Sequence, residues 1–142
     1  MKKIVFLLIV CLLFVGCGKS DAELNMSSAE SAIEKHLSGM VKIEDGTLED
    51  AYGLNLDNME KWSFKQNEEG DLYAIIKTSN KVAVKNGMKD YFAKVKDFNA
   101  SYSPERLEIL ENRLEKELGN YLIYIVAEDG NTIYNDILKT MD

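Results

Sequence analysis

Tyr121 to Val126 is six apolar residues without interruption. The run is rich in aromatic and β-branched residues, with Gly119-Asn120 before it and Asp129-Gly130 just after, the pattern of a strand buried on both faces. Such a strand belongs at the centre of a sheet, so the chain must supply partners for it. Period-two alternation finds them. Trp62 and Phe64 alternate with Lys61, Ser63 and Lys65. After the turn Glu68-Glu69-Gly70-Asp71, Leu72, Ala74 and Ile76 alternate with Tyr73, Ile75 and Lys77, which predicts a hairpin. Leu118-Gly119-Asn120-Tyr121 resembles a two-residue hairpin turn, making Asn112 to Leu118 a further strand. Leu107, Leu110, Leu114 and Leu118 also fit a helix running to Gly119; the reading adopted is a short helix followed by that strand.

Helical spacing accounts for most of the rest. Ser27-Ser28-Ala29-Glu30 has the form of a capping box, with Ala29, Ile33 and Leu37 following and Gly39 closing the helix. Thr47-Leu48-Glu49-Asp50 opens a short helical turn ending near Gly53. Ser79-Asn80 caps the strongest helix, whose stripe is Val84, Met88, Tyr91, Phe92 and Val95, and which stops before Ser103-Pro104. A last helix turns Ile133, Ile137 and Met141 inward. Strand–strand–helix thus occurs twice, over 62–98 and 114–141. The expected fold class is α+β: a four-stranded, mainly antiparallel sheet with helices packed on one face, preceded by an N-terminal helix.

The N-terminus carries an address. Lys2 and Lys3 precede twelve apolar residues, Ile4 to Val15, and Gly16-Cys17 follows at once. Charge, apolar run and small-residue cleavage site are the parts of an export signal. Twelve helical residues reach about 18 Å, short of a hydrocarbon core of about 30 Å. A cysteine at the cut resembles the lipobox of bacterial lipoproteins, which implies cleavage between Gly16 and Cys17, acylation of Cys17 and an extracytoplasmic, membrane-anchored location. Phe14 departs from the usual leucine, which stands one step earlier at Leu13. Ordinary secretion, with cleavage near Gly16 or Gly18, is the plainer alternative. The expected organisation is a signal peptide over 1–16, a lipidated N-terminus and flexible linker over 17–26, and a single domain over 27–142.

Cleavage would remove Cys11, and acylation would occupy Cys17, leaving no thiol for a disulfide, a metal or a nucleophile. It would also remove Lys2 and Lys3, leaving 15 basic residues against 24 acidic ones and a net charge of −9. That balance makes nucleic acid a poor partner. One window runs against it. Lys77, Lys81, Lys85, Lys89, Lys94 and Lys96 face a single acid, Asp90. Lys81, Lys85 and Lys89 recur every four residues on the helix face opposite the apolar stripe. With Lys96 they form a candidate contact for anionic lipid headgroups or cell-wall polymer; a solvated helix face is the ordinary reading of such a row.

Catalytic signals are sparse. His36 is the lone histidine, with no H-E-x-x-H pattern; near a helix end it is expected to face solvent or the terminal carbonyls. The acidic groups Glu44-Asp45, Glu49-Asp50 and Glu68-Glu69-Gly70-Asp71 lack the spacing of a calcium loop and are expected to be solvated loops. No nucleophile elbow, Walker loop or dinucleotide glycine fingerprint occurs, and no metal or other cofactor is indicated. Paired carboxylates for glycoside hydrolysis would be assembled in space, and 24 acids offer no choice of two.

The lipobox, Tyr52-Gly53-Leu54, the strand–helix pair and Leu118-Gly119-Asn120-Tyr121-Leu122-Ile123-Tyr124 together resemble small lipoproteins of Gram-positive, Clostridia-type anaerobes. These carry the domain of unknown function numbered 4358. The resemblance covers nearly the whole chain after the signal and implies a location and an approximate fold, with no catalytic residues established. The expectation is a non-enzymatic binding or accessory domain tethered at the cell surface. A cell-envelope enzyme or ligand-binding module with a spatially assembled site is the alternative.

Overall fold

The computed structural model describes residues 23–141. The signal segment, Gly16, Cys17 and the first part of the linker lie outside the described residues. Within them the chain forms α1 (Met26–Glu34), β1 (Val41–Lys42), β2 (Lys61–Gln66), β3 (Leu72–Lys77), α2 (Lys81–Tyr102), α3 (Leu107–Glu111), β4 (Leu114–Leu118), β5 (Tyr121–Val126) and α4 (Gly130–Lys139). A π-type turn at Thr47–Ala51 and a 3-10 turn at Leu56–Asn58 fill the long β1–β2 connection.

The strands form one antiparallel sheet in the order β1-β2-β3-β5-β4. The β2–β3 hairpin pairs Lys61 with Lys77 and Gln66 with Leu72, and β3 pairs with β5 from Leu72–Val126 to Lys77–Tyr121. The expectation of four strands is corrected to five. β1 is only two residues long, set against Gln66 and Lys65, and two residues carry no alternation to read.

The expectation of helices on one face is also corrected. α2 covers the face formed by Phe64, Ala74, Ile76, Leu122 and Tyr124. α1 and α4 cover the other, formed by Tyr73, Ile75, Tyr121, Ile123 and Ile125. All six residues of β5 are buried, as are the first five of β3. A strand apolar on both sides must exclude water from both, so one helical layer cannot satisfy it.

The ordered domain begins before Ser27. Leu24 and Met26 are buried in the α1 face, so these positions are not flexible linker. The cap of α1 is Asn25, whose Oδ1 accepts from the Ser28 amide at 3.0 Å, in place of Ser27. Asn80 does cap α2, accepting from the Ala83 amide at 3.3 Å. Behind it Thr78 is fully buried, donating to the Asn58 carbonyl at 2.6 Å and accepting from the Asn80 amide at 2.9 Å. That junction fixes the direction in which α2 leaves the sheet.

Candidate functional site

The lysine row sits where α2 flanks β4. Lys85 reaches Glu117 at 2.7 Å and Lys81 reaches the same carboxylate at 3.5 Å. The Lys85 hydrogen bond, with both lysine charges, holds the Glu117 carboxyl below its ordinary range. Lys89 borders the shallow groove between α2 and β4 with Lys85, Arg113 and Glu115. Lys96 lies farther along the helix and pairs with Glu111 at 2.8 Å. The structure therefore gathers Lys81, Lys85 and Lys89 along one flank, separates Lys96, and places acids of its own among them.

His36 meets neither solvent alone nor helix carbonyls. Its Nε2 lies 2.7 Å from Asp136 Oδ2, tying the end of α1 to α4. Asp136 also accepts from Lys139, and these hydrogen bonds, that of Lys139 first, hold its carboxyl below the usual range. Two of the seven acids expected to be solvated loop are likewise engaged: Asp45 accepts from Trp62 Nε1 at 3.0 Å, and Asp71 is buried. Among the described residues no three His, Cys, Asp or Glu side chains converge as a metal site would require.

An enclosed surface feature lies at the β2–β3 turn. α2 starts where β3 ends and runs back along it. Twenty-two helical residues extend about 33 Å, whereas the six of β3 extend about 20 Å. The last turns of α2 therefore project beyond the sheet. Under that overhang is a cleft of about 620 Å³, walled by Tyr52, Val95, Phe98 and Asn99 on one side and by the β2–β3 turn and Arg106 on the other.

Its walls are held firmly. Arg106 Nη2 donates to Asp71 Oδ1 at 2.7 Å, with both side chains almost out of water. Asn67 donates to Asp71 Oδ2 at 3.1 Å and accepts from the Asp71 amide at 2.9 Å, locking the turn. Gly70 takes φ +89°, and a Cβ there would sit 3.0 Å from Arg106 Nε. That nitrogen is buried without a partner. Tyr52 rests on Tyr91, ring centroids 4.6 Å apart, and burial raises the Tyr91 phenol far above its ordinary range.

At the outer edge Phe98 and Tyr102 stack on each other with centroids 4.8 Å apart, and they are 59% and 74% exposed. Glu68, Glu69 and Glu105 rim the cleft and are exposed. Neither Arg106 nor Phe98 is among the site residues expected from the sequence, and the expectation of Asp71 in a solvated loop is corrected by its burial. Asp71 and Arg106 are 35 positions apart, and no local pattern links them. Phe98 does carry a signal, since it extends the α2 stripe one turn past Val95, beyond the reach of the sheet.

No curated protein and no solved structure shows significant similarity to the chain. The profile of one family, the domain of unknown function DUF4358, matches residues 33–127, and the chain belongs to that family.

Proposed function

We propose that this protein is a surface lipoprotein, anchored through an acylated Cys17 on the extracytoplasmic side of the membrane, whose domain acts as a non-enzymatic binding or accessory module. One observation carries the reading. Glu23, on the N-terminal side of α1, pairs with Lys77 at the end of β3, whereas the cleft lies at the opposite end of that strand beside Asp71. A tether arriving at Glu23 turns the cleft away from the anchoring surface. Lys81 starts α2 at the tethered end and leads the row Lys81, Lys85 and Lys89, which offers a weak, salt-sensitive attraction to anionic headgroups or cell-wall polymer, tempered by Glu117 among them. A cell-envelope enzyme using the same cleft is the competing reading.

Cell fractionation with Cys17→Ser tests the anchor. The variant is expected to leave the membrane or to accumulate unprocessed; normal processing with full membrane retention overturns the reading. Any released Cys17→Ser protein is expected to sediment weakly with anionic vesicles and not with neutral ones. Reversal of Lys81, Lys85 and Lys89 to Glu abolishes that difference.

A further inference from the structure

Phe98 and Tyr102 are exposed aromatic residues on successive turns of one helix, in van der Waals register with each other and beside a cleft. Neither contributes to either core. Their position past the end of the sheet leaves them uncovered by any element among the described residues. Paired exposed aromatics next to a preformed concavity are the usual anchor points of a protein contact.

Charge says what kind. The rim carries Glu68, Glu69 and Glu105, none of which forms an ion pair among the described residues. The one cation in the lining, Arg106, is engaged by Asp71. Lys94 stands over Gly53, where a Cβ would sit 3.3 Å from its Nζ, and is not among the residues that line the cleft. An acidic rim around aromatic rings selects a cationic side chain, by Coulomb attraction at the rim and by cation–π attraction at Tyr52 and Phe98.

Size separates a peptide from a small cation. The cleft alone exceeds one lysine or arginine side chain, and the Phe98–Tyr102 pair extends the apolar surface outside it. Resting on the reading of this domain as a binding module, we propose that the cleft docks a segment of a protein partner. A Lys or Arg of that segment enters between Tyr52 and Phe98, and an apolar neighbour covers Phe98 and Tyr102. The Asn67–Asp71–Arg106 network fixes the opposing wall before binding, which limits the ordering cost of association.

The test uses the full lipidated protein in discs of neutral phosphatidylcholine and fluorescence anisotropy with labelled decapeptides. One alternates Lys and Leu, one alternates Glu and Leu, and one is all Lys. The Lys-Leu peptide is expected to bind most tightly and the Glu-Leu peptide not at all. Phe98→Ala and the Glu68→Lys/Glu69→Lys pair should each weaken Lys-Leu binding about 10-fold or more. These residues are exposed, so both variants are expected to fold, and matching circular dichroism verifies that. Unchanged affinity in Phe98→Ala, or equal binding of the Glu-Leu peptide, overturns the proposal. So does displacement of the Lys-Leu peptide by spermine at equal affinity, which would assign the cleft to small polyamines. Dimerisation in solution that Phe98→Ala abolishes would assign the surface to a second copy of this chain. Fractionation of Cys17→Ser is read separately, so loss of anchoring with intact peptide binding leaves the cleft standing, and the reverse leaves the anchor standing.

Discussion

Gly70 and Arg106 set the shape of the cleft through a close approach that a side chain at position 70 would crowd. Gly70 adopts φ +89°, a region costly to residues with a Cβ, and its missing side chain leaves room for Arg106, whose Nε would lie 3.0 Å from a Cβ there. Gly119 is the natural control, since it too has positive φ, +57°, but open space around it. Gly119→Ala is expected to cost about 1 kcal/mol, the backbone term alone. Gly70→Ala carries that term and a clash that pushes Arg106 from Asp71, straining a nearly buried ion pair; its cost should exceed about 2 kcal/mol. Urea denaturation of the two variants checks the difference, and equal losses would mean that the Gly70–Arg106 contact does not hold this wall. The partnerless Nε of Arg106 fits the same picture: a side chain packed into the space left by Gly70 gains Asp71 at Nη2 and gives up water at Nε.

Between elements, the contact of α1 with the sheet is the one most open to pH. Lys65 on β2 lies 2.6 Å from Glu34 on α1, and Tyr73 Oη on β3 donates to the same Glu34 oxygen at 2.8 Å. Ser63 donates to Glu30 one turn away. Burial pushes the Glu34 carboxyl upward, but the hydrogen bonds from Lys65 and Tyr73 outweigh it and hold it below its ordinary 4.5. Lys65 moves the other way, above 10.5, chiefly through its bond to Glu34. Glu34 therefore contributes stability above about pH 4.5 that is lost as pH falls through its lowered value, and Lys65 contributes below 10.5 and loses it above its raised value. Between pH 6 and pH 3 the urea midpoint of Glu34→Gln should fall less than that of the parent; parallel curves would show that this bond does not hold α1. The element scale also explains what the sequence disclosed. β3, β5 and α2 announced themselves through alternation, an unbroken apolar run and an i, i+4, i+7 stripe. β1 has too few residues for any period, and Asn25 caps α1 because Leu24 and Met26, either side of it, are drawn into the core. Nothing local distinguishes Asn25 from Ser27 as a cap, because both are good ones. The cleft was legible only in its aromatic edge, since its charged wall joins residues from a hairpin and a helix end that meet through folding.

The molecule as a whole is a sheet with two unlike coats, and the boundaries of the family match cut across one of them. Residues 33–127 contain all five strands and α2, so the face under α2 is complete within that segment. The opposite face is not. It is covered by α1 and α4, of which nearly all of the first and all of the second lie outside 33–127. A chain cut to that segment would expose Tyr73, Ile75, Ile123 and Ile125 on adjacent central strands, each now buried. At about 2 kcal/mol for each side chain returned to water, the loss is about 8 kcal/mol. A domain of this size has only about 5–15 kcal/mol in all. The flat apolar face left behind would also favour association between copies. Residues 33–127 expressed alone are therefore expected to bind a hydrophobic dye and aggregate, whereas residues 23–141 should unfold cooperatively as a monomer. Cooperative unfolding of the shorter segment would mean that α1 and α4 are accessories to the fold. The expected result makes them part of it: Glu23 and Leu24 lie at the start of α1, Glu34 and His36 at its end, each holding a partner on the sheet or on α4.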